Sequence, residues 1–365
     1  MQPSNTTTLP NTIVHNDHDV GTQDWDIIDL HLDTLIPQRL WGYNPLKAHR
    51  FQPFGRHFFG HSDVPRLQEV GVTGGMWSIT TNPFRLSNSR WAVFCRNLQT
   101  LEKLGQSNKT AIVTSFEEYQ HAKMNRQHAI FPSIQGANAI SGAPDGLLSL
   151  PDPYNSIIRM TLIHLTPSVY GNTSSPFHHL HQNKGLTDAG KNLIEAMNHH
   201  RIFVDLAHAH PQTFWDALQV HNPTHPILVT HTGVQGITAH WRNLDDAQIK
   251  AIAQSGGVIG IMFANNFLKH HHKKDASIII DHLEYLIQVG GEDIAALGSD
   301  FDGAISAPTD LKSMAEFPRL IQLMQERKWS PERIQKILGQ NFLRVLKEYR
   351  PNKINPEHSS LQISD

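Results

Sequence analysis

Trp25-Asp26-Ile27-Ile28-Asp29-Leu30-His31-Leu32-Asp33 is a short apolar run that ends in His-x-Asp. In extended backbone, residues two apart face the same side, so His31 and Asp33 can converge on one point. An imidazole nitrogen and a carboxylate oxygen suit a divalent transition metal. Alone, such a pair reads as a solvated strand end. The chain behind it repeats the event: apolar runs end at Gln135, His164, His208, His231 and Asp300.

Working outward, eight apolar segments read as strands: 26–30, 74–81, 129–134, 157–163, 202–206, 226–230, 257–262 and 294–298. Helical periodicity fills 88–106, 115–127, 187–200, 211–220, 245–254 and 277–289. Ser330-Pro331-Glu332 starts a last long helix to about Tyr349, with Ser as cap and Pro at the first helical position. Two long loops interrupt the alternation. One, 34–68, is aromatic and punctuated by Pro and Gly; the other, 166–185, is polar. Loops of such length usually act as lids or binding walls. Eight strands alternating with helices predict an α/β fold, a (β/α)8 TIM barrel. The predicted organisation is a leader over 1–23, one barrel domain over 24–349 and a tail over 350–365. The chain contains neither a dinucleotide-binding G-x-G-x-x-G after its first strand nor a phosphate-binding G-x-x-x-x-G-K-[ST].

Composition narrows the partners. The 365 residues are 39% hydrophobic and 18% charged with a formal net charge of −2, which gives no electrostatic basis for binding nucleic acid or an anionic membrane. No apolar stretch of about 18 residues is present to span a bilayer. The first 20 residues have neither a basic nor an apolar signal region, so a cytoplasmic location is expected. One cysteine, Cys95, precludes an intramolecular disulfide and reads as a packed thiol on a helix face.

In a barrel, the C-terminal strand ends converge on the face that carries the active site. Three histidines (His31, His208, His231) and two aspartates (Asp33, Asp300) on one mouth can hold one or two divalent ions. Such ions acidify water and polarise a carbonyl, as amide or ester hydrolysis requires. With 25 histidines, most must be bystanders: His178, His179 and His181 lie in a polar loop, and His270-His271-His272 reads as a solvated run. Asp205 is placed to orient a ligand, and Asp302 either supports the site or starts a helix.

Taken together, these blocks resemble the membrane (renal) dipeptidase family of zinc peptidases, peptidase family M19, over about residues 24–348. The resemblance rests on Asp29-Leu30-His31-Leu32-Asp33, Gly75-Met76-Trp77-Ser78, Val204-Asp205-Leu206-Ala207-His208, Val229-Thr230-His231, Trp241-Arg242-Asn243-Leu244, Gly298-Ser299-Asp300-Phe301-Asp302-Gly303 and Gly339-Gln340-Asn341-Phe342-Leu343-Arg344-Val345. It implies one zinc on His31, Asp33 and Asp300, a second on His208 and His231, and a bridging glutamate whose place Gln135 takes. It further implies that His164 binds substrate, that Arg242 receives a dipeptide carboxylate, that Asp300 handles the proton of the attacking water, and that the chain forms a homodimer. The chain departs from the family pattern at Gln135. With only Asp33 and Asp300 as anionic ligands, tight binding of one metal is expected. After the seventh strand, Met262-Phe263-Ala264 leaves Phe263 as the nearby aromatic. The leading expectation is therefore a metal-dependent hydrolase of small dipeptides. The alternatives are a mononuclear hydrolase of another small amide, ester or lactone, and a barrel that binds metal or ligand without turnover.

Overall fold

The structure, a computed structural model, describes residues 25–49, 58–180, 182, 185–269 and 272–355. The expected leader, His181 and the His270-His271 pair lie outside these residues. Nine strands occur among the described residues: β1 (Ile28–Leu32), β2 (Gly74–Thr80), β3 (Thr110–Ile112), β4 (His128–Gln135), β5 (Arg159–Thr161), β6 (Phe203–Asp205), β7 (Leu228–Thr232), β8 (Val258–Ile261) and β9 (Ala295–Leu297). They run β2-β1-β9-β8-β7-β6-β5-β4, and a β2–β4 pairing closes the ring. All pairings are parallel, so eight strands make a closed (β/α)8 barrel. Strands buried on both faces need continuous apolar side chains rather than alternation, which is why short apolar runs located them.

The ninth strand, β3, was not expected. It pairs with the first half of β4 through Ala111↔Ala129 and Ile112↔Ile130, and β5 takes the same edge from Ser133 onward. Pro132 stands at the handover. Proline has no N–H to donate to a ladder, and here the missing donor falls where β3 has ended and β5 has not yet begun. Its carbonyl accepts from Ile158 N at 2.9 Å.

β1 begins two residues later than expected and includes His31. The 34–68 loop contains two short helices, Leu35–Trp41 and Val64–Glu69. Asp63 caps the second by accepting from Arg66 N. A helix over Pro318–Glu326 was also not anticipated. The final helical stretch begins where expected, with Ser330 accepting from Arg333 N, and carries a π-type turn over Lys336–Gln340. Its last segment, Asn341–Tyr349, closes the bottom of the barrel. Phe342 packs edge-on against Phe131 of β4 and tilted against Phe203 of β6, with ring centroids 5.5 and 6.3 Å apart. The barrel thus has an apolar floor, and its polar strand ends are gathered at the other end.

Candidate metal centre at the barrel mouth

Backbone pairing sets where the site side chains stand. Asp300 N bonds His31 O at 3.1 Å and Asp33 N bonds Phe301 O at 2.9 Å, joining the end of β1 to the segment after β9. His31, Asp33 and Asp300 are therefore neighbours: His31 Nε2 lies 3.6 Å from Asp33 Oδ2 and 3.8 Å from Asp300 Oδ1. β7 carries His231, and the turn after β6 carries His208, whose Nε2 is 2.9 Å from His231 Nε2. Gln135 ends β4 with one end of its amide 3.4 Å from both of those nitrogens. His31, His231 and Asp300 offer ligand atoms all within 4.8 Å of one another.

Two glycines make the convergence possible. A Cβ at Gly298 would lie 1.8 Å from Thr230 O, so only glycine lets the end of β9 approach β7 closely enough to bring Asp300 towards His231. Gly136 has φ +89°, and a Cβ there would meet His164 Cβ at 2.8 Å. His208 and Asp300 themselves hold positive φ (66° and 61°). Non-glycine residues in that region cost of order 1–3 kcal/mol and cluster at functional sites.

The floor of the site is a buried polar network. Asp205 accepts from Thr230 Oγ1 at 2.7 Å and Thr161 Oγ1 at 2.6 Å. Because the single hydroxyl proton of Thr230 goes to Asp205, its oxygen accepts the Nδ1–H of His231 at 3.0 Å. That leaves the His231 Nε2 lone pair facing the mouth, so Asp205 orients a metal-competent histidine through Thr230. Arg159, wholly buried, lies 3.3 Å from Asp205, 2.8 Å from Ser78 Oγ and 3.1 Å from His31 Nδ1. Its signal in the sequence was a lone charge inside the apolar run 157–163, since a buried charge needs partners.

Electrostatics favour a cation between these groups. Burial holds His208 and His231 well below the ordinary histidine pKa, and His164 at about 4, so each imidazole is neutral at neutral pH. Burial first, and then the charge on Asp33, pushes Asp300 well above the carboxylate range. The neighbouring His31 and the hydroxyl of Thr80 hold Asp33 below it despite burial. The His208 and His164 Nδ1 atoms are buried without a partner among the described residues. Orphaned buried atoms of this kind mark a place for water, ion or ligand. Three imidazoles and two carboxylates suit one divalent ion; the neutral amide of Gln135 does not suit the role of bridging two.

A cavity of about 250 Å³ opens beside these groups. Its polar rim includes Asp33, Gln135, His164, His208, Arg242 and Asp300. Arg242 is buried and donates to His231 O at 2.6 Å; burial lowers it to about 10, so it stays charged. The other walls of the cavity include Phe59, from the aromatic loop expected to form one, and Trp241 and Phe267, not nominated as walls from the sequence. Phe263, the expected aromatic, is fully buried and packs against Phe301 instead. Asp302 supports the wall: its Oδ1 accepts from Gly60 N (2.7 Å) and His61 N (2.9 Å), two residues bordering Phe59 and the second short helix.

A closed parallel barrel with a His/Asp cluster at its C-terminal mouth defines a metal-dependent hydrolase scaffold. Residues 20–359 match the model of the membrane dipeptidase family, peptidase family M19, and the chain belongs to that family. An uncharacterised protein encoded in the pqqA 5′ region of Klebsiella pneumoniae is 40% identical over 167 residues, which is 45% of this chain and 60% of that protein. Among solved structures, a metallopeptidase described as dipeptidase AC is 23% identical, with a TM-score of 0.78 over 90% of this chain and 100% of that one. A Rhodobacter sphaeroides metallopeptidase, liganded with a phosphinate mimic of L-Ala-D-Ala, is 21% identical with a TM-score of 0.75 over 89% and 99%. The probable dipeptidase PvdM of Pseudomonas aeruginosa is 16% identical with a TM-score of 0.77 over 90% and 96%.

Proposed function

We propose that the chain is a metal-dependent dipeptidase, hydrolysing the peptide bond of small dipeptides at the barrel mouth. The observation that carries this reading is the convergence of His31, Asp33, His208, His231 and Asp300 beside one small cavity that Asp33, His208, Asp300 and the buried Arg242 line. A divalent ion, zinc by the nitrogen-rich donor set, would be held within that cluster, on its histidine side, and would supply Lewis acidity to the carbonyl and acidify the attacking water. The residues do the rest. Arg242 presents a planar fork to the substrate carboxylate. His164 lines the cavity where it can hydrogen-bond the scissile carbonyl. Asp300 takes a proton from water as its oxygen attacks the carbonyl carbon, and returns it to the nitrogen as the C–N bond breaks. The apolar walls keep bulk water from the reacting atoms.

One observation favours a second reading. Gln135 stands where the family resemblance implies a bridging glutamate, which fits a mononuclear hydrolase of another small amide, an ester or a lactone. The deciding experiment is release of free amino acids from a panel of LL, LD and DL dipeptides with zinc-supplemented protein. Turnover of dipeptides supports the first reading. Cleavage confined to acyl amides, esters or lactones supports the second, and no turnover of any substrate points to a ligand-binding barrel.

A further inference from the structure

The hydrogen-bond directions around Gln135 decide which half of the centre can take an ion. Thr80 Oγ1 lies 2.5 Å from Asp33 Oδ1 and 2.8 Å from the Gln135 amide. A carboxylate only accepts, so the single threonine proton goes to Asp33, and Thr80 must accept from Gln135. The amide nitrogen therefore faces Thr80 and Asp33, donating to Asp33 Oδ2 at 3.1 Å. The amide oxygen faces the histidines: 3.2 Å from His31 Nε2, and 3.4 Å from both His208 Nε2 and His231 Nε2. In the opposite orientation, oxygen would face carboxylate oxygen and nitrogen would face imidazoles.

The same accounting fixes His31. Arg159 can only donate, and its NH2 lies 3.1 Å from His31 Nδ1. With Nδ1 accepting, the proton of His31 sits on Nε2 and is donated to the Gln135 oxygen. Arg159, His31, Gln135, Thr80 and Asp33 thus form one closed relay of donors and acceptors. The other half differs: the His231 proton is committed to Thr230, leaving the Nε2 lone pair exposed 2.9 Å from His208 Nε2. His208 Nδ1 has no partner among the described residues, so His208 has no other claim on its proton, and a cation between the two Nε2 atoms takes the place of the one proton they can share. Ligands of a tetrahedral zinc stand about 3.4 Å apart; the Gln135 oxygen already has that spacing to both nitrogens, and the two nitrogens, 2.9 Å apart, would open slightly around the ion.

We infer that Gln135 makes the centre mononuclear and one-sided: a single divalent ion binds at His208, His231 and the Gln135 amide oxygen, while the Gln135 NH2 replaces a second ion by hydrogen-bonding Asp33. The oxygen has two lone pairs, one for the His31 Nε2–H and one for the ion. This inference rests on the metal requirement of the proposed function, but it concerns occupancy rather than turnover.

The test loads the full chain with zinc and locates it by anomalous scattering and X-ray absorption. The expected result is one zinc per chain, two imidazole ligands, no metal–metal scattering, and a density peak between His208 and His231. Zinc dissociation constants from chelator competition should rise about 100-fold in His208→Ala and His231→Ala, and stay within about threefold in folded His31→Gln. Gln135→Glu should add a second ion that His31→Gln then removes. Two zincs in the wild-type chain, a peak beside His31 and Asp33, or no zinc at millimolar concentration would each overturn the inference. Because location is read on the wild-type chain, the test survives misfolding of any variant. A chain with one zinc at His208 and His231 that cleaves no dipeptide would defeat the proposed activity and leave this assignment intact.

Discussion

At the scale of single residues, the proposed substrate side of the site rests on charge-assisted geometry. Arg242 is held by its own donation to His231 O, so its guanidinium is oriented before any ligand arrives. Hydrogen bonds to charged groups contribute about 1.5–3 kcal/mol. Arg242→Met should therefore lower kcat/KM for a free dipeptide by roughly thirtyfold, mainly through KM. Arg242→Lys should recover only part of this, since an ammonium cannot reproduce the fork. Steady-state kinetics check the prediction, with zinc content measured alongside to show that His231 has not shifted. Equal loss in kcat with KM unchanged would mean that Arg242 acts on the transition state instead.

At the scale of elements, the two ends of the barrel should respond differently to damage. Phe342 fills the floor among Phe131 and Phe203, so Phe342→Ala should cost about 3–5 kcal/mol of stability while leaving zinc affinity unchanged. Gly298 sits where β9 meets β7, and the atom a Cβ would strike is backbone, which cannot swing aside. Gly298→Ala should cost about 3 kcal/mol and also weaken zinc binding, because the backbone it displaces at Thr230 carries His231. Urea midpoints and chelator competition on the two variants separate floor from mouth; equal zinc affinity in both would show that the approach of β9 to β7 does not set the site. Legibility follows the same division. Strand ends such as His231 and Asp300 were readable because an apolar run terminating in a ligand-type residue is a local pattern. β3 was not: it has three residues, two of them partly exposed, and gains its identity from one edge of β4. Phe59 belongs to the aromatic 34–68 loop expected to form a wall, whereas Trp241 and Phe267 were missed as walls because no local period marks loops that meet only in the fold. Gln135 shows a middle case: its position was legible, but the direction of its amide depends on Thr80, 55 residues away.

At the scale of the whole molecule, buried histidines set the response to acid. His128 is the plainest case: its Nδ1–H donates to Val72 O at 3.0 Å, and its Nε2 accepts from Trp77 Nε1 at 3.1 Å. Neither nitrogen has room for a further proton, and burial holds its pKa at about 4 against 6.5. Burial likewise brings His164 and His221 to about 4. A group whose folded pKa is depressed binds its proton more readily when unfolded. Its stabilisation is complete above pH 6.5 and is lost as pH falls towards 4. For His128 alone this amounts to about 3 kcal/mol. Asp29 opposes it: burial raises its pKa to about 7, so the folded chain gains relative stability as pH drops below that value. Asp300, also raised, acts in the same direction. The histidines outnumber these carboxylates, and zinc at His208 and His231 would sharpen the imbalance, since bound imidazoles must be deprotonated. The zinc-loaded protein should therefore lose stability steeply between pH 6.5 and 4, and chelation should lower its Tm most near neutral pH, where the ion competes least with protons. Urea midpoints across that range, with and without zinc, check both parts. A stability maximum near pH 5 would mean that Asp29 and Asp300 govern the acid limb and that the buried histidines relax before they titrate.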